Sequence, residues 1–151
     1  MQRECFFEGD SLQSRFGHTI TPIGKERAII FGGAVGDSNK TSDKYVITGD
    51  TFLCDYMKKK FKKLDPKGAP PPNRAAHASV CIDQYLYIFG GALGGGELAD
   101  NSLYQLDILS IQEKAFWSIK KCTGMIPPSR YGHVMGYLKP FLIIHGGNTG
   151  N

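Results

Sequence analysis

Short apolar and aromatic runs, bounded by turn-forming residues, follow one another along the whole chain. In order they read AIIFGG (28–33), TFLCDY (51–56), FKKL (61–64), LYIFGG (86–91), SLYQLDI (102–108), WSIK (117–120) and LIIHGG (142–147). Short β-branched and aromatic runs between Gly, Pro, Asn and Asp predict strands rather than helices. We expect four strands per unit, which in the first unit lie near 17–23, 28–32, 51–56 and 61–64.

These runs belong to a repeating unit. The string SRFGH (14–18) returns as NRAAH (73–77) and as SRYGH (129–133), and a double glycine follows each histidine after 13 or 14 residues. The period is 59 residues and then 56, which indicates a repeat architecture. We divide the chain into 1–13 (the end of a preceding segment or an outer strand), 14–72 (first repeat), 73–128 (second repeat) and 129–151 (first half of a third repeat).

The unit resembles the kelch repeat. Four strands in a unit of this length, with a double glycine after the second strand, are typical of kelch blades. The resemblance implies an all-β fold of kelch-type β-propeller blades, each of four antiparallel strands, incomplete at about two and a half blades. The repeated positions are Arg15, His18, Gly32, Gly33, Phe61, Arg74, His77, Gly90, Gly91, Trp117, Arg130, His133, Gly146 and Gly147.

Each repeated position has a physical reason. Neighbouring sheets on both faces explain the continuous apolar second strand, and the glycines permit positive φ and a close approach of backbones. We expect the fourth-strand aromatic, Phe61 or Trp117, to fill the wide outer gap between blades. The repeated Arg and His are expected to hydrogen-bond to backbone groups of a neighbouring turn.

Composition suits this picture, with 41% hydrophobic residues and 19 glycines, and charge adds one feature. The stretch from Lys58 to Lys67 contains six lysines and one acidic residue, Asp65. The rest of the chain contains 12 of the 18 basic and 13 of the 14 acidic residues, so the excess positive charge is local to this stretch. We interpret 58–63 as a solvated hairpin end whose lysines protect a strand edge. A nuclear-localisation or phosphate-docking role is the alternative. Nucleic acid is not favoured as a partner, because no aromatic stacking platform or basic groove accompanies the lysines.

The N-terminus MQRECFFEGD mixes charges into its first ten residues, unlike a secretory signal. No apolar run approaches the roughly 18 residues of a membrane span. The four cysteines are far apart and include no CxxC pair, so we expect them to be reduced and mostly buried. A cytoplasmic and/or nuclear protein without a membrane partner is the resulting expectation.

The repeated histidines, His18, His77 and His133, invite a metal hypothesis. We interpret them as structural, because a metal site needs unlike positions that converge on one point. The glycine run 90–97 lacks the Lys-Ser/Thr of a phosphate-binding loop and is expected to be a flexible connection. No string offers a nucleophile with its base. The sequence therefore predicts no catalytic residue, cofactor or metal ligand in this chain.

Recognition is expected in the loops. The connections after the double glycines, 34–50 and 92–101, are long and polar, and long loops on a rigid scaffold commonly carry binding. We predict partner-binding positions at Asp37, Asn39, Asp43, Glu97 and Asp100.

Within the kelch group, the chain resembles the serine/threonine protein phosphatases with an N-terminal kelch region. The resemblance rests on NRAAHAS (73–79), SRYGHVM (129–135), the glycine-rich insert before SLYQLD, and the strand-like YVITGD (45–50). Phe61 instead of Trp and His145 instead of Phe depart from the pattern. The resemblance implies a parent enzyme whose separate phosphatase domain holds two divalent metals, of manganese or iron/zinc type.

No GDxHG, GDxVDRG or GNHE string supplies such metal ligands in this chain. Its expected work is therefore binding, with other proteins as partners, including the rest of its own propeller, and with self-association of the isolated chain. A kelch adaptor or scaffold, such as a ubiquitin-ligase substrate receptor, is the alternative. A kelch-fold enzyme with its own metal centre is a third.

Overall fold

The computed structural model describes residues 6–36, 44–109, 111 and 114–150. Its strands are β1 (Glu8–Gly9), β2 (Arg15–Phe16), β3 (Thr19–Ile23), β4 (Arg27–Phe31), β5 (Ala34–Gly36), β6 (Tyr45–Ile47), β7 (Thr51–Asp55), β8 (Lys60–Leu64), β9 (Lys67–Gly68), β10 (Ala78–Ile82), β11 (Tyr85–Phe89), β12 (Ala92–Gly94), β13 (Glu97–Leu98), β14 (Leu103–Asp107), β15 (Phe116–Lys120), β16 (Val134–Leu138) and β17 (Phe141–His145). In this part of the chain, no helix is long and apolar enough to cross a membrane.

Two five-stranded sheets form the body of the molecule. The first has the order β1-β8-β7-β4-β3, and the second the order β9-β15-β14-β11-β10. In each sheet four successive strands are antiparallel neighbours. The predicted all-β architecture of four-stranded blades is therefore confirmed.

A short fifth strand covers the outer edge of each sheet; β1 lies within 1–13, where an outer strand was one of the two expectations, whereas β9 was not expected. The strand β1 pairs in parallel with β8, and β9 pairs in parallel with β15. Each comes from the segment just before the blade's arginine, so the outermost long strand is not a free edge. This corrects the interpretation of the lysines in 58–63 as edge protection: β1 covers Lys60 and Phe61, and Asp10 accepts a bond from the Lys63 amide at 2.7 Å.

The long connections contain short strands: β6 lies in the segment 45–50 that was predicted to be strand-like, whereas the glycine run was expected to be a flexible connection. In the first connection β5 pairs with β2 and β6 to form a three-stranded sheet. The glycine run 90–97 contains the hairpin of β12 and β13. The third repeat contributes the antiparallel pair β16 and β17.

The core lies between the two large sheets. Side chains alternate across a strand, so Leu86, Ile88 and Leu106 share the face that meets the first sheet, and all three are fully buried. Trp117 on β15 joins them at 1% exposure and lies edge-on to Phe31 of the first sheet, with ring centroids 5.4 Å apart. The predicted position between neighbouring blades is therefore confirmed for Trp117, whereas the Phe61 ring stacks on Phe7 with centroids 4.8 Å apart.

Backbone hydrogen bonds link the repeats at equivalent positions. The Ala76 amide donates to the Gly17 carbonyl at 2.7 Å, and the Gly132 amide donates to the Ala76 carbonyl at 2.8 Å. All three residues have left-handed backbones, with φ of 67°, 55° and 67° at Gly17, Ala76 and Gly132. The innermost strands β3, β10 and β16 lie side by side, and this contact fixes where each repeat's loops begin.

Candidate functional site

The double glycines bring the loops of one repeat onto the backbone of the next. At Gly90 φ is +66°, and a Cβ would lie 2.5 Å from the Arg130 carbonyl oxygen of the following repeat. The Gly91 amide donates to that same carbonyl at 2.8 Å, as the Gly33 amide does to the Arg74 carbonyl at 2.9 Å. Any side chain at Gly90 would force these backbones apart.

One arginine per repeat fastens each double glycine from within its own repeat. Its Nη1 donates to the carbonyl of the first glycine: Arg15 to Gly32 at 3.1 Å, Arg74 to Gly90 at 2.9 Å and Arg130 to Gly146 at 2.9 Å. The three bonds repeat with nearly the same geometry, so the repeated arginine is a structural clamp on the loop end.

The first two clamps differ in how their charge is compensated. Arg15 lies 3.6 Å from the Asp50 carboxylate. Burial alone would raise the pKa of Asp50, but the hydrogen bond and charge of Lys63, helped by Arg15, hold that pKa below its ordinary value.

Arg74 is fully buried, and no carboxylate among the described residues forms such an ion pair with it. Its guanidinium lies 4.9 Å over the Tyr104 ring, and Tyr104 Oη is 3.5 Å from Asp100. Its Nη2 has no hydrogen-bond partner among the described residues. Burial lowers the pKa of Arg74, and the charges of Tyr104 and Asp100 offset part of that shift.

The prediction that the repeated histidine bonds to backbone is wrong for His77. Its Nε2 is 2.9 Å from Thr19 Oγ1 of the preceding repeat, and its ring lies edge-on to Phe31 at 5.2 Å. His133 packs in the same way on Phe89 at 5.6 Å. Burial is the main cause that lowers the pKa of His77 to about 3, with smaller contributions from Arg74 and the other two repeated histidines. The uncharged ring packs between two repeats.

The loop end also exposes an aromatic surface, which we call the loop face and define by Phe16 and Tyr45. Phe16 and Tyr45 meet edge to face at 4.8 Å, yet they remain 55% and 60% exposed. Phe16 and Tyr131 occupy the same position of the repeat, where the second repeat has the buried Ala75. Exposed aromatics on a rigid backbone are typical of protein-binding surfaces.

Comparison with known proteins decides the family. The family model described as "KLHDC2/KLHL20/DRC7 Kelch-repeats domain" matches residues 3–151. This chain belongs to the kelch-repeat family.

Its kelch relatives have diverse names. The chain is 33% identical over 146 residues to the Danio rerio "Rab9 effector protein with kelch motifs", covering 93% of this chain and 39% of the relative. It is 28% identical over 145 residues to the Dictyostelium discoideum "Rho GTPase-activating protein gacHH", covering 94% and 9%. The Arabidopsis thaliana "Serine/threonine-protein phosphatase BSL2" is 32% identical over 138 residues, covering 82% and 13%.

The chain thus spans 39% or less of the length of these three relatives. The kelch region is what they share with it, while their names differ. The chain is accordingly a kelch module of the protein-interaction type, and the name of no single relative carries over to it.

Two of the predicted recognition residues can be placed in this kelch module. Glu97 is exposed on β13. Asp100 is exposed but engaged within its loop, since it accepts a bond from Ser102 Oγ at 2.8 Å in addition to its contact with Tyr104. Asp37, Asn39 and Asp43 lie outside the described residues. Sequence reasoning missed Phe16 and Tyr45, although the shared repeat position of Phe16 and Tyr131 was a readable signal.

The described residues include no group of three or more His, Cys, Asp or Glu side chains that could hold a metal ion. The two-metal centre implied by the phosphatase resemblance has no counterpart among them. Cys54 and Cys81 are half-buried and Cys122 is exposed, so the expectation of mostly buried cysteines is wrong for the described thiols.

Proposed function

We propose that this kelch module recruits a protein partner through its loop face, as the recognition part of a longer protein. The observation that supports this most directly is the exposed Phe16–Tyr45 pair, held at the loop end by the Arg15 clamp. A rigid scaffold lowers the entropy cost of binding, because the aromatic side chains are already positioned.

The favoured parent is a serine/threonine protein phosphatase, and the similarity to the Arabidopsis thaliana phosphatase over 82% of this chain supports it. In such a protein the kelch module would bring substrates or regulators to a separate domain. The two divalent metals and the phosphoester hydrolysis would belong to that domain, and the protein would work in the cytoplasm and/or nucleus.

A kelch adaptor or scaffold without a phosphatase domain is the second candidate. The similarity to the Danio rerio Rab9 effector supports it, because 39% of that relative is covered, against 13% of the phosphatase. In that case the loop face would still bind a protein, but no attached hydrolase would act on it.

The loop-face proposal is tested by cross-linking mass spectrometry of the full-length protein. Changing Phe16 and Tyr45 to Ser should remove the cross-linked partners of the kelch module. The matched control is Phe116→Ser, because Phe116 is an aromatic of nearly equal exposure, 52%, outside the loop face. Equal losses in both variants would overturn the proposal.

The parent is tested separately by the full reading frame. A phosphatase parent predicts metallophosphatase motifs with Asp, His and Asn ligands, and manganese-dependent hydrolysis of p-nitrophenyl phosphate by the full-length protein. A reading frame without those motifs would contradict the phosphatase and favour the adaptor.

A further inference from the structure

The strand β6, which carries Tyr45 of the loop face, is held by the second repeat as well as by the first. Asn73 Nδ2 donates to the Ile47 carbonyl at 3.2 Å, and the Arg74 amide donates to the Thr48 carbonyl at 3.3 Å. In the described part of the chain, the one strand that pairs with β6 is β5 of the first repeat. The start of the second repeat therefore fixes the end of β6 and the residue after it.

Two glycines allow the close approach at this boundary. A Cβ at Gly49 would lie 2.7 Å from Asn73 Oδ1, so the Asn73 carboxamide lies directly against the Gly49 backbone. On β12, a Cβ at Gly94 would lie 3.4 Å from Ile47 Cγ1, so Ile47 packs over that strand. Both contacts join the long connection of the first repeat to the second repeat.

Asn73 differs from the residue that the other repeats have at its position. The first and third repeats have Ser14 and Ser129 there. A serine side chain has no amide group and is one bond shorter, so a serine at this position would leave the bond to the Ile47 carbonyl unmade. The second repeat thus has a residue of its own at the boundary beside the loop face.

The two rings of the loop face are supported by different parts of the fold. Phe16 lies on β2, which pairs with β5 next to the Arg15 clamp. Tyr45 lies on β6, whose far end is bonded to Asn73. The edge-to-face contact of the two rings depends on both supports, and a binding site keeps its geometry only where the residues behind it are fixed.

We propose that Asn73 is a positioning residue for the loop face. Its bond to β6 holds the Tyr45 ring against Phe16 in the arrangement that a partner protein meets, so Asn73 acts through β6 and not by touching the partner. This inference rests on the proposed function of the loop face. It gives the second repeat a part in recognition by the first.

The contact can be broken from either side. Asn73→Ser introduces the residue of the other two repeats. Gly49→Ala places a Cβ against the carboxamide, and it adds no left-handed strain because Gly49 does not have a positive φ. The matched control is Asn101→Ser, the same substitution at an exposed asparagine outside this contact.

Hydrogen exchange with mass spectrometry on the whole chain measures how firmly residues 44–50 are held. Asn73→Ser and Gly49→Ala should each speed the exchange of this segment about twofold to tenfold, the effect of losing one hydrogen bond. The double variant should be no faster than the faster single variant, because both changes break the same contact. Asn101→Ser should leave the exchange of the segment unchanged.

Partner binding is measured in the same variants by cross-linking of the full-length protein. Asn73→Ser should lower the yield of cross-linked partners at least about threefold, while Asn101→Ser should retain it. Circular dichroism with an unchanged melting temperature excludes global unfolding as the cause of a loss.

Three results would overturn the positioning role: unchanged exchange of 44–50 in Asn73→Ser, additive effects in the double variant, or faster exchange with an unchanged yield of cross-links. The variant with Ser at Phe16 and Tyr45 separates this failure from that of the proposed function. If that variant keeps its cross-links, the loop face is not the binding surface, even where the exchange shows that Asn73 fixes β6.

Discussion

The two faces of the second sheet have different surroundings. On the face toward the first sheet, Leu86, Ile88 and Leu106 are fully buried and Trp117 meets Phe31 edge-on. This face has the packing of a protein core.

On the opposite face, a cavity of about 160 Å³ opens where Phe89 and Leu103 of the second sheet approach Leu142 and Ile144 of β17. Phe116 on this face is half exposed. In the described part of the chain, β17 pairs with β16 alone, whereas the equivalent strands β4 and β11 each have two long neighbours.

The difference shows that one kelch repeat does not complete its own core. Phe31 and Phe89 hold equivalent positions, and each has a histidine of the next repeat against its ring. A fourth-strand aromatic from the following repeat, Trp117, reaches only Phe31. Stability in repeat folds is therefore shared across neighbouring units.

The largest predicted effect follows from Trp117. Changing Trp117 to Ala should lower the free energy of unfolding by about 3–5 kcal/mol, because it leaves a cavity between the sheets. Phe116 is the adjacent residue and lies on the opposite face of the second sheet. Phe116→Ala should lower the free energy of unfolding by about 1 kcal/mol or less. Urea unfolding measures both, and equal losses would mean that the two faces do not differ as described.

The second prediction concerns pH. The pKa of His77 is about 3 in the folded chain, against 6.5 as its ordinary value, so between these values the unfolded chain binds more protons. The free energy of unfolding should therefore fall as the pH is lowered, on the order of 2 kcal/mol between about pH 6.5 and 5. His77→Gln should reduce this slope. An unaltered slope in His77→Gln would show that the ring titrates freely.

The third prediction compares two glycines with positive φ. Gly90→Val should destabilise by about 1–3 kcal/mol, because the side chain meets the Arg130 carbonyl as well as the left-handed backbone. Gly95→Val shares the positive φ but has open space around its Cβ position, so only the backbone strain remains, about 1 kcal/mol. If thermal unfolding shows the same decrease in melting temperature for both variants, the close approach of the repeats at Gly90 contributes nothing to stability.

The smallest effect concerns a missing hydroxyl. His77 Nε2 lies at hydrogen-bond distance from the hydroxyl of Thr19 in the preceding repeat. At the next boundary, Ala78 occupies the position that is equivalent to Thr19 and has no hydroxyl to offer His133. The ring nitrogens of His133 have no hydrogen-bond partner among the described residues. Thr19→Ala should cost about 1 kcal/mol. Ala78→Thr should recover a few tenths of a kcal/mol by the same bond. A loss of stability in Ala78→Thr would contradict the equivalence of the two boundaries.

The spacing of the double glycines and apolar runs was enough to predict the four-stranded blades, because each strand had its own local signal. The outer strands β1 and β9 had none, since two-residue parallel strands leave no periodicity. The Thr19–His77 contact was also hidden, because it depends on which strands of successive repeats lie side by side.

The candidate site was less predictable. Loop position suggested Glu97 and Asp100, but the Asp100 carboxylate accepts hydrogen bonds from the Ser102 and Tyr104 hydroxyls next to its own loop. Phe16 and Tyr45 lie 29 residues apart in sequence, and only the pairing of β2, β5 and β6 brings them together. The residue spacing within one loop does not predict which residues of another loop it will contact, so the Phe16–Tyr45 contact could not be predicted from the sequence.

The central claim is that a kelch repeat needs its neighbours to complete its core. Multi-angle light scattering of the 151-residue chain over a range of concentrations tests it most directly. Within the described residues one edge of β17 has no strand partner, and this edge and the exposed apolar side chains beside it favour edge-to-edge association. We predict a mass that rises with concentration, and a smaller rise for Ile143→Lys, which places a charge on β17. A single folded monomer at every concentration would contradict the account.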